Sequence, residues 1–168
     1  ILKQADLKLL FITDQHKTSD YERMTAELLP SLTSGPAGKR VASSDYPQLH
    51  HVVSIKLRTS LAGALDWPAF IALGERVPDG RLDVMAATVG PGDPVNIQYT
   101  SGTTGSPKGA MLSHRNLLMN AFYVGQRQRI SERDRVCIPV PFYHCFGCVM
   151  GTLLCAEYGA AMVVPAES

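Results

Sequence analysis

The chain has 168 residues, of which 45% are hydrophobic and 18% charged, a balance that excludes an intrinsically disordered protein. Sixteen Lys and Arg against fifteen Asp and Glu leave a formal charge of +1, without the basic stripe that favours nucleic-acid binding. No apolar run reaches the roughly 18–20 residues that cross a bilayer, so we predict no transmembrane segment, and the first residues do not form a signal-peptide pattern.

In the first half of the chain, apolar runs alternate with amphipathic ones, which is typical of an α/β protein. Asp20 and Asp66 are predicted to cap two helices at their N-termini, and Pro30 ends the first of these helices. The predicted elements, in chain order, are a buried strand at 7–13, a helix at 21–29, a strand at 51–56, a helix at 66–75 and a short helix at 81–87 within a surface connection.

The second half continues the alternation. Ser113 is the predicted cap of its longest helix, and Pro139 weakens the strand prediction around it. The predicted elements are a strand at 95–100, a helix from 113 to about 128, a strand at 135–140, a buried helix at 144–158 and a last strand at 160–164. We therefore expect an α/β fold of three αβα layers around a mainly parallel sheet.

The segment 99–109 reads Tyr-Thr-Ser-Gly-Thr-Thr-Gly-Ser-Pro-Lys-Gly, and it has the composition of a phosphate-binding loop. Glycines let the backbone approach a ligand closely, while hydroxyls and free N–H groups donate to an oxyanion and a lysine adds a compact positive charge. A flexible linker is disfavoured, because the loop lies between a strand-like run and a helical pattern. The predicted phosphate-binding residues are Thr100, Ser101, Gly102, Thr103, Thr104, Gly105, Lys108 and Gly109.

Two common nucleotide-binding templates do not fit this loop. The Walker form places lysine directly after a glycine and a hydroxyl after lysine, whereas Lys108 lies between Pro107 and Gly109. The dinucleotide form G-x-G-x-x-G also fails on its glycine spacing. Because proline disfavours the helical conformation in the residue before it, we expect the loop to return through an extended segment at 109–112, with the helix starting only after Ser113.

Residues 100–109, followed by Ala-Met-Leu-Ser-His-Arg-Asn-Leu at 110–117, resemble the AMP-binding signature of the adenylate-forming superfamily. A second segment agrees, since Pro-Val-Pro-Phe-Tyr-His-Cys-Phe-Gly at 139–147 resembles the aromatic–histidine motif that follows this loop in the family. Within the superfamily, the wording of both motifs looks most like the acyl-CoA synthetase branch, which includes medium-chain and fatty acyl-CoA ligases.

The resemblance implies a two-step reaction. A carboxylate, here a fatty acid, attacks the α-phosphorus of ATP to give an acyl-adenylate and pyrophosphate, and the thiol of CoA then displaces AMP. It implies that Mg²⁺ accompanies ATP, that Lys108 contacts the β- or γ-phosphate, and that His144 positions the substrate. Phe142, Tyr143 and Phe146 then line the acyl pocket, although aromatic residues at this spacing more often pack in a core. The alternative for His144 is a structural role, as a hydrogen-bonded histidine at the start of a helix.

The resemblance also implies that residues 1–168 are part of the large N-terminal domain of a longer enzyme. Its downstream half and its C-terminal lid domain are then missing, and the fragment alone is expected to be inactive. Alternatives are an amino-acid or aryl-acid adenylating domain, a phosphate-loop NTPase, and a non-catalytic binding module. The expected location is cytoplasmic, with an organellar transit peptide left open because the native N-terminus is unseen.

Four cysteines lie at 137, 145, 148 and 155, and Cys145 and Cys148 have C-x-x-C spacing beside His144. A zinc site normally needs a second such pair, so we predict no metal site. A redox pair is the alternative, but buried and reduced thiols are the favoured interpretation because free cysteine packs as a small hydrophobe.

Overall fold

The computed structural model describes residues 1–56, 61–100 and 105–166. The chain divides into two compact units, Ile1–Val84 and Met85–Ser168. Strands and helices alternate in both units, and among the described residues three of the strand pairings are parallel while two are antiparallel. The predicted α/β class with mainly parallel strand pairing is confirmed.

The first unit is built on a parallel three-stranded sheet. Its elements are β1 (Leu9–Ile12), β2 (Gln15–His16), β3 (Ser19–Asp20), α1 (Tyr21–Leu28), a 3₁₀ turn (Pro30–Leu32), β4 (His51–Ser54), β5 (Leu65–Asp66), α2 (Trp67–Ala72), a second 3₁₀ turn (Leu73–Arg76) and α3 (Arg81–Ala86), which crosses the division at Val84. The sheet order is β1-β4-β5, and β2 and β3 form a separate antiparallel pair.

Side-chain caps begin two of these helices where the sequence predicts them. The Asp20 carboxylate accepts a hydrogen bond of 2.9 Å from the backbone N–H of Arg23, and the Asp66 carboxylate accepts one of 2.7 Å from Ala69. Each bond satisfies a backbone donor that has no partner within its own helix. Helix α1 ends before Pro30, as expected.

The core of the first unit lies around β4 and the chain on either side of it. Val52 and Val53 are buried, and the cluster of buried hydrophobic residues comprises Ile12, Leu29, Leu32, Val41, Leu49, Val52, Leu61 and Ala64. The prediction of a buried first strand at 7–13 is wrong for Leu9 and Phe11, which are 39% and 45% exposed. The ring of Phe11 instead packs edge-on against Phe70, with ring centroids 5.2 Å apart.

The second unit contains an antiparallel hairpin, a parallel strand pair and a helical layer. Its elements are β6 (Pro94–Thr100), β7 (Lys108–Ser113), α4 (His114–Gln128), β8 (Arg135–Cys137), a π-helix (Phe146–Leu153), α5 (Leu154–Tyr158) and β9 (Ala161–Val163). Strands β6 and β7 pair antiparallel, and β8 and β9 pair parallel. A small core of Ala121, Val149, Leu154 and Cys155 joins α4 to the helical layer.

The predicted helix at 144–158 forms in large part, but its residues Phe146–Leu153 are wound as a π-helix. The hydroxyl of Thr152 donates to the carbonyl of Gly147, five residues earlier, at 3.1 Å. Gly147 faces the backbone of Pro141 so closely that a Cβ would collide with the Pro141 carbonyl. Absence of a side chain at residue 147 therefore lets this helix lie directly on the segment that precedes it.

The favoured prediction of buried thiols is wrong for two of the four cysteines. Cys137 and Cys145 are exposed, Cys148 is half-buried, and only Cys155 is buried among apolar neighbours. Cys137 ends the short strand β8, and Cys145 precedes the π-helix, so both lie at element ends where little packs over them. All four thiols are free, and burial raises the pKa of the Cys155 thiol.

Candidate functional site

The phosphate-binding loop predicted from the sequence connects the two strands of the β6–β7 hairpin. Thr100 and Lys108 are directly opposite each other in the strand register, so they close the hairpin at the ends of the loop. The predicted residues Ser101, Gly102, Thr103 and Thr104 lie outside the described residues. Gly105 has a φ of +84°, a conformation that favours glycine. The expected extended return is confirmed, because β7 runs from Lys108 to Ser113.

The two faces of this hairpin differ in chemistry. Paired residues in an antiparallel ladder share a face, and alternate residues along a strand point to opposite faces. Gln98, Thr100 and Lys108 therefore lie on one face, which we call the polar face. The opposite face carries Ile97, Tyr99 and Met111. Since Lys108 and Thr100 are exposed, their ammonium and hydroxyl groups are accessible to a ligand.

Gly109 is required by the packing of the apolar face. A Cβ at residue 109 would lie 2.8 Å from Cγ2 of Ile97 and 3.2 Å from two ring atoms of Tyr99. Any side chain there would push Tyr99 or Ile97 aside, because distances below about 3 Å are not found for real Cβ atoms. This glycine lies beside Lys108, so its tight fit holds the backbone that carries the lysine.

Helix α4 starts only after the whole of strand β7, and its N-terminus is already capped. The Ser113 hydroxyl accepts a hydrogen bond of 3.2 Å from the backbone N–H of Asn116, and the Asn116 side-chain oxygen accepts one of 3.0 Å from the backbone N–H of Ser113. This is a reciprocal capping box. In a Walker loop the phosphates occupy the helix N-terminus directly after the loop, and this arrangement is different.

His144 lies at a tight turn that leads into the π-helix. Its backbone N–H donates to the carbonyl of Pro141 at 3.1 Å, and its ring Nδ1 accepts from the backbone N–H of Phe146 at 3.2 Å. Because Nδ1 is an acceptor here, the neutral ring carries its proton on Nε2. The side chain is exposed. The helix-start role is therefore filled by Nδ1, while the exposure of the side chain leaves Nε2 accessible.

The side chain of Gln98 joins the hairpin to the His144 turn. The Nε2 of Gln98 donates to the backbone carbonyl of Tyr143 at 3.2 Å. Gln98 directly precedes the loop segment 99–109, Tyr143 lies within the second motif at 139–147, and 45 positions separate the two residues in the chain. We did not single out Gln98 from the sequence. Strand alternation, which places a polar residue two positions before Thr100, is the signal that could have identified it.

The aromatic residues assigned to an acyl pocket are on the surface of this unit. Phe142 is 46% exposed, Tyr143 82% and Phe146 41%, so none of the three packs in a core formed by the described residues. They remain accessible to a ligand or to further chain.

In the part of the chain that the structure describes, no group of three or more His, Cys, Asp or Glu side chains is suited to hold a metal ion. The hairpin sequence 94–113 also contains no carboxylate. The described residues therefore do not fit a protein-held Mg²⁺, and we assign the ion no step.

Within the same described ranges, none of the helices is long and apolar enough to cross a membrane.

Comparison with protein families and known proteins places these features in context. The family model described as AMP-binding enzyme matches residues 1–168. The chain is 39% identical over 163 residues to YngI of Bacillus subtilis, a match that covers 97% of this chain and 29% of that protein. It is 36% identical over 169 residues to the human mitochondrial medium-chain acyl-CoA ligase ACSF2, covering 98% of this chain and 27% of the ligase.

Solved structures support the fold. The chain superposes on the apo structure of MbtA from Mycobacterium smegmatis with a TM-score of 0.61 at 20% sequence identity, over 95% of this chain and 25% of that one. The chain thus spans less than a third of the length of each of these proteins.

Proposed function

The chain belongs to the AMP-binding enzyme family, and from this membership we propose that it supplies the ATP phosphate-binding hairpin of an AMP-forming acyl-CoA synthetase. The observation that carries the proposal is the polar face of the hairpin, where Lys108 and Thr100 face each other at the ends of the loop. The relatives named as acyl-CoA ligases support the choice of reaction.

The proposed reaction has two steps. A carboxylate oxygen of the acid attacks the α-phosphorus of ATP, a new P–O bond forms, and the bond to the β-phosphate oxygen breaks with release of pyrophosphate. The sulfur of CoA then attacks the acyl carbon, its proton leaves to solvent, and AMP departs as the leaving group. Both steps are favoured mainly by positioning and by neutralising developing negative charge.

The residues of this chain divide that work between them. Lys108 places a positive charge beside the β- or γ-phosphate, and the Thr100 hydroxyl and the loop N–H groups donate to phosphate oxygens. The remaining loop residues predicted from the sequence, 101–105 and Gly109, complete the phosphate contacts. His144 presents Nε2–H to an oxygen of the substrate carboxylate or of the adenylate, held in place by the bond that Nδ1 accepts. Mg²⁺ would reach this site with ATP.

The proposed substrate is a fatty acid, with Phe142, Tyr143 and Phe146 at the entrance of its acyl pocket. Their exposed rings offer apolar surface to an acyl chain. ACSF2 is named as a medium-chain ligase, which supports this class of acid. Amino acids and aryl acids are the alternative substrates, and comparing product formation across carboxylates of different chain length and polarity distinguishes them.

We further propose that residues 1–168 form part of a longer adenylation domain, and that the isolated fragment does not catalyse the reaction. This proposal is supported by YngI and ACSF2, each of which is more than three times as long as the region that matches this chain. We propose that the enzyme acts in the cytoplasm or in an organelle, and the second alternative is supported by ACSF2, which is named as a mitochondrial protein. Pyrophosphate exchange by the isolated fragment above background would contradict the proposal of inactivity.

The proposed function is tested by replacing Lys108 with alanine in the enzyme that contains this chain. Hydrogen bonds to charged groups contribute about 1.5–3 kcal/mol, so adenylation measured by pyrophosphate exchange should fall roughly ten- to hundredfold. Lys39→Ala, the same change at an exposed lysine of the first unit, is the control and should leave the rate unchanged. An unaltered rate in Lys108→Ala removes the residue from the mechanism.

Product analysis separates this reaction from that of an NTPase. An AMP-forming ligase releases AMP and pyrophosphate only when a carboxylate is present. The capped helix α4 and the strand that precedes it already disfavour a Walker-type enzyme. Release of ADP and phosphate would therefore overturn the proposal, and absence of any ATP cleavage would favour a non-catalytic binding module.

A further inference from the structure

We propose that Gln98 is a positioning residue, which sets the place of His144 relative to the phosphate-binding hairpin. The inference rests on the proposed function, because it assigns a role within the same site. The observation that supports it is the hydrogen bond of 3.2 Å that Nε2 of Gln98 donates to the backbone carbonyl of Tyr143.

The orientation of the Gln98 amide follows from its partner. A backbone carbonyl can only accept hydrogen bonds, so the amide nitrogen and not the amide oxygen faces Tyr143. The side chain is half-buried, although most of the surrounding hairpin is exposed. Ala110 lies opposite Gln98 in the strand register, and its small methyl leaves room beside the long glutamine side chain.

Gln98 is close to the proposed phosphate contacts on its own strand. It lies on the polar face with Thr100, which is two residues further along β6, a distance of about 7 Å. Strand β6 therefore carries Thr100, which would contact ATP, and Gln98, which holds the turn whose His144 would contact the carboxylate substrate. A shift of the hairpin moves both together.

The segment that Gln98 holds is a rigid turn with its own internal hydrogen bonds. The His144 backbone N–H is bonded to Pro141, its carbonyl accepts from Cys148 at 2.9 Å, and its ring accepts from Phe146. Tyr143 itself is held through its backbone, since its side chain is 82% exposed. Loss of the Gln98 bond would leave this turn folded and remove its side-chain link to the hairpin.

The expected effect on catalysis is larger than the expected effect on folding. A net hydrogen bond between neutral groups changes an equilibrium constant by about two- to twelvefold. A misplacement of about 1 Å at a reacting group can slow a reaction about a hundredfold. A positioning role therefore predicts a rate loss that exceeds the loss of folding stability, and a purely structural role does not.

The experiment uses Gln98→Met in the enzyme that contains this chain, because methionine keeps the length of the side chain and removes the donor. We expect kcat for adenylation to fall at least tenfold while KM for ATP changes less than threefold. Gln128→Met, at an exposed glutamine of helix α4, is the matched control and should change neither value. A kcat within twofold of wild type would overturn the proposal.

A double-mutant cycle with His144 tests whether Gln98 acts through that residue. If it does, Gln98→Met should slow His144→Ala by less than twofold, because the group to be positioned is already gone. Independent, multiplicative losses would overturn the proposal. Wild-type enzyme that shows no carboxylate-dependent pyrophosphate exchange would instead contradict the proposed function, so the two failures are distinguishable.

A measurement on the wild-type enzyme covers the case in which the variant does not fold. Hydrogen exchange of side-chain amides by NMR should show slower exchange for Gln98 than for Gln128, since a carbonyl holds one of its protons. Equal exchange rates at the two glutamines would overturn the proposal without any substitution.

Discussion

The parallel sheet of the first unit and the β6–β7 hairpin of the second are stabilised in different ways. In the sheet, three consecutive residues of β4 are buried, and one of them, Val52, belongs to a cluster of eight buried hydrophobic residues. In the hairpin, every described residue of β6 and β7 is exposed or half-buried, and the strands are joined by an antiparallel ladder that is regular from Asn96 to Thr100. Burial holds the first region, while backbone pairing, close glycine packing and a helix cap hold the second.

This difference allows the two regions to tolerate different changes. A buried side chain is surrounded by others, so its loss creates a cavity. An exposed ladder loses little when a surface side chain is shortened, but it is sensitive to added bulk and to its end caps. The following substitutions test that distinction, beginning with the largest expected effect.

The largest loss of stability should come from the core of the first unit. Leu29 is 1% exposed, and Leu29→Ala should lower the free energy of unfolding by about 2–5 kcal/mol through lost burial and a residual cavity. Urea denaturation followed by circular dichroism measures the change. Leu82→Ala, at a leucine that is 74% exposed, is the control and should stay within about 0.5 kcal/mol. Equal losses would contradict the assignment of stability to burial.

Added bulk should be the most damaging change in the hairpin. Gly109→Ala would force Ile97 or Tyr99 to move, at a cost of about 1–3 kcal/mol. Gly92→Ala is the matched control, because a Cβ there meets no atom within 4 Å, and it should be neutral or stabilising by up to about 1 kcal/mol. Comparison of the two thermal unfolding curves isolates the steric cost. Similar curves would show that the hairpin adapts to a side chain at 109.

Loss of the helix cap should have a smaller effect. Ser113→Ala removes the hydroxyl that accepts from Asn116 and should reduce stability by about 1 kcal/mol. Ser44→Ala, at an exposed serine of the first unit, provides the comparison. If the two variants unfold at the same denaturant concentration, the capping box contributes nothing measurable to the hairpin and α4.

The smallest effect should appear as a pH dependence of the first unit. Partial burial, and then the charges of Arg40, His51 and Lys8, lower the pKa of His50 from its usual value of 6.5. The folded state therefore favours the neutral ring, and its contribution to stability is complete above pH 6.5 and declines as the pH falls below it. His50→Gln should flatten this part of the stability curve. His16→Gln, at an exposed histidine, is the control, and an unchanged slope in His50→Gln would contradict the assignment.

The sequence predicted the helices well because local side chains determine where they begin. Asp20, Asp66 and Ser113 each form the expected cap, and all three bonds join residues three positions apart. The strand before the loop and the extended return were likewise predicted from short-range patterns, including the effect of Pro107 on the preceding residue. These features depend on few residues that are close in the chain.

Features that depend on distant contacts were not predicted. The sequence pattern predicts a helix here but not its π winding over Phe146–Leu153, nor the close approach of Gly147 to Pro141. The short strands β2, β3 and β5 have only two residues each, too few to show a period. Exposure of Cys137 and Cys145 depends on what packs over element ends. The Gln98–Tyr143 bond spans 45 positions, and no local pattern encodes it.

Direct pairing of Thr100 with Lys108 has a consequence for loop length. The ladder already brings the two ends of the connecting segment together. The pairing of the strands therefore offsets the entropy that the chain loses when the loop closes. Lengthening a closed loop costs little, since even a doubling adds only about 0.6 kcal/mol. Folding therefore places almost no limit on the number of residues between these two positions. On the proposed function, the loop length is constrained by binding of the triphosphate. Insertion of one glycine after Gly105 should therefore leave the enzyme folded and lower its affinity for ATP.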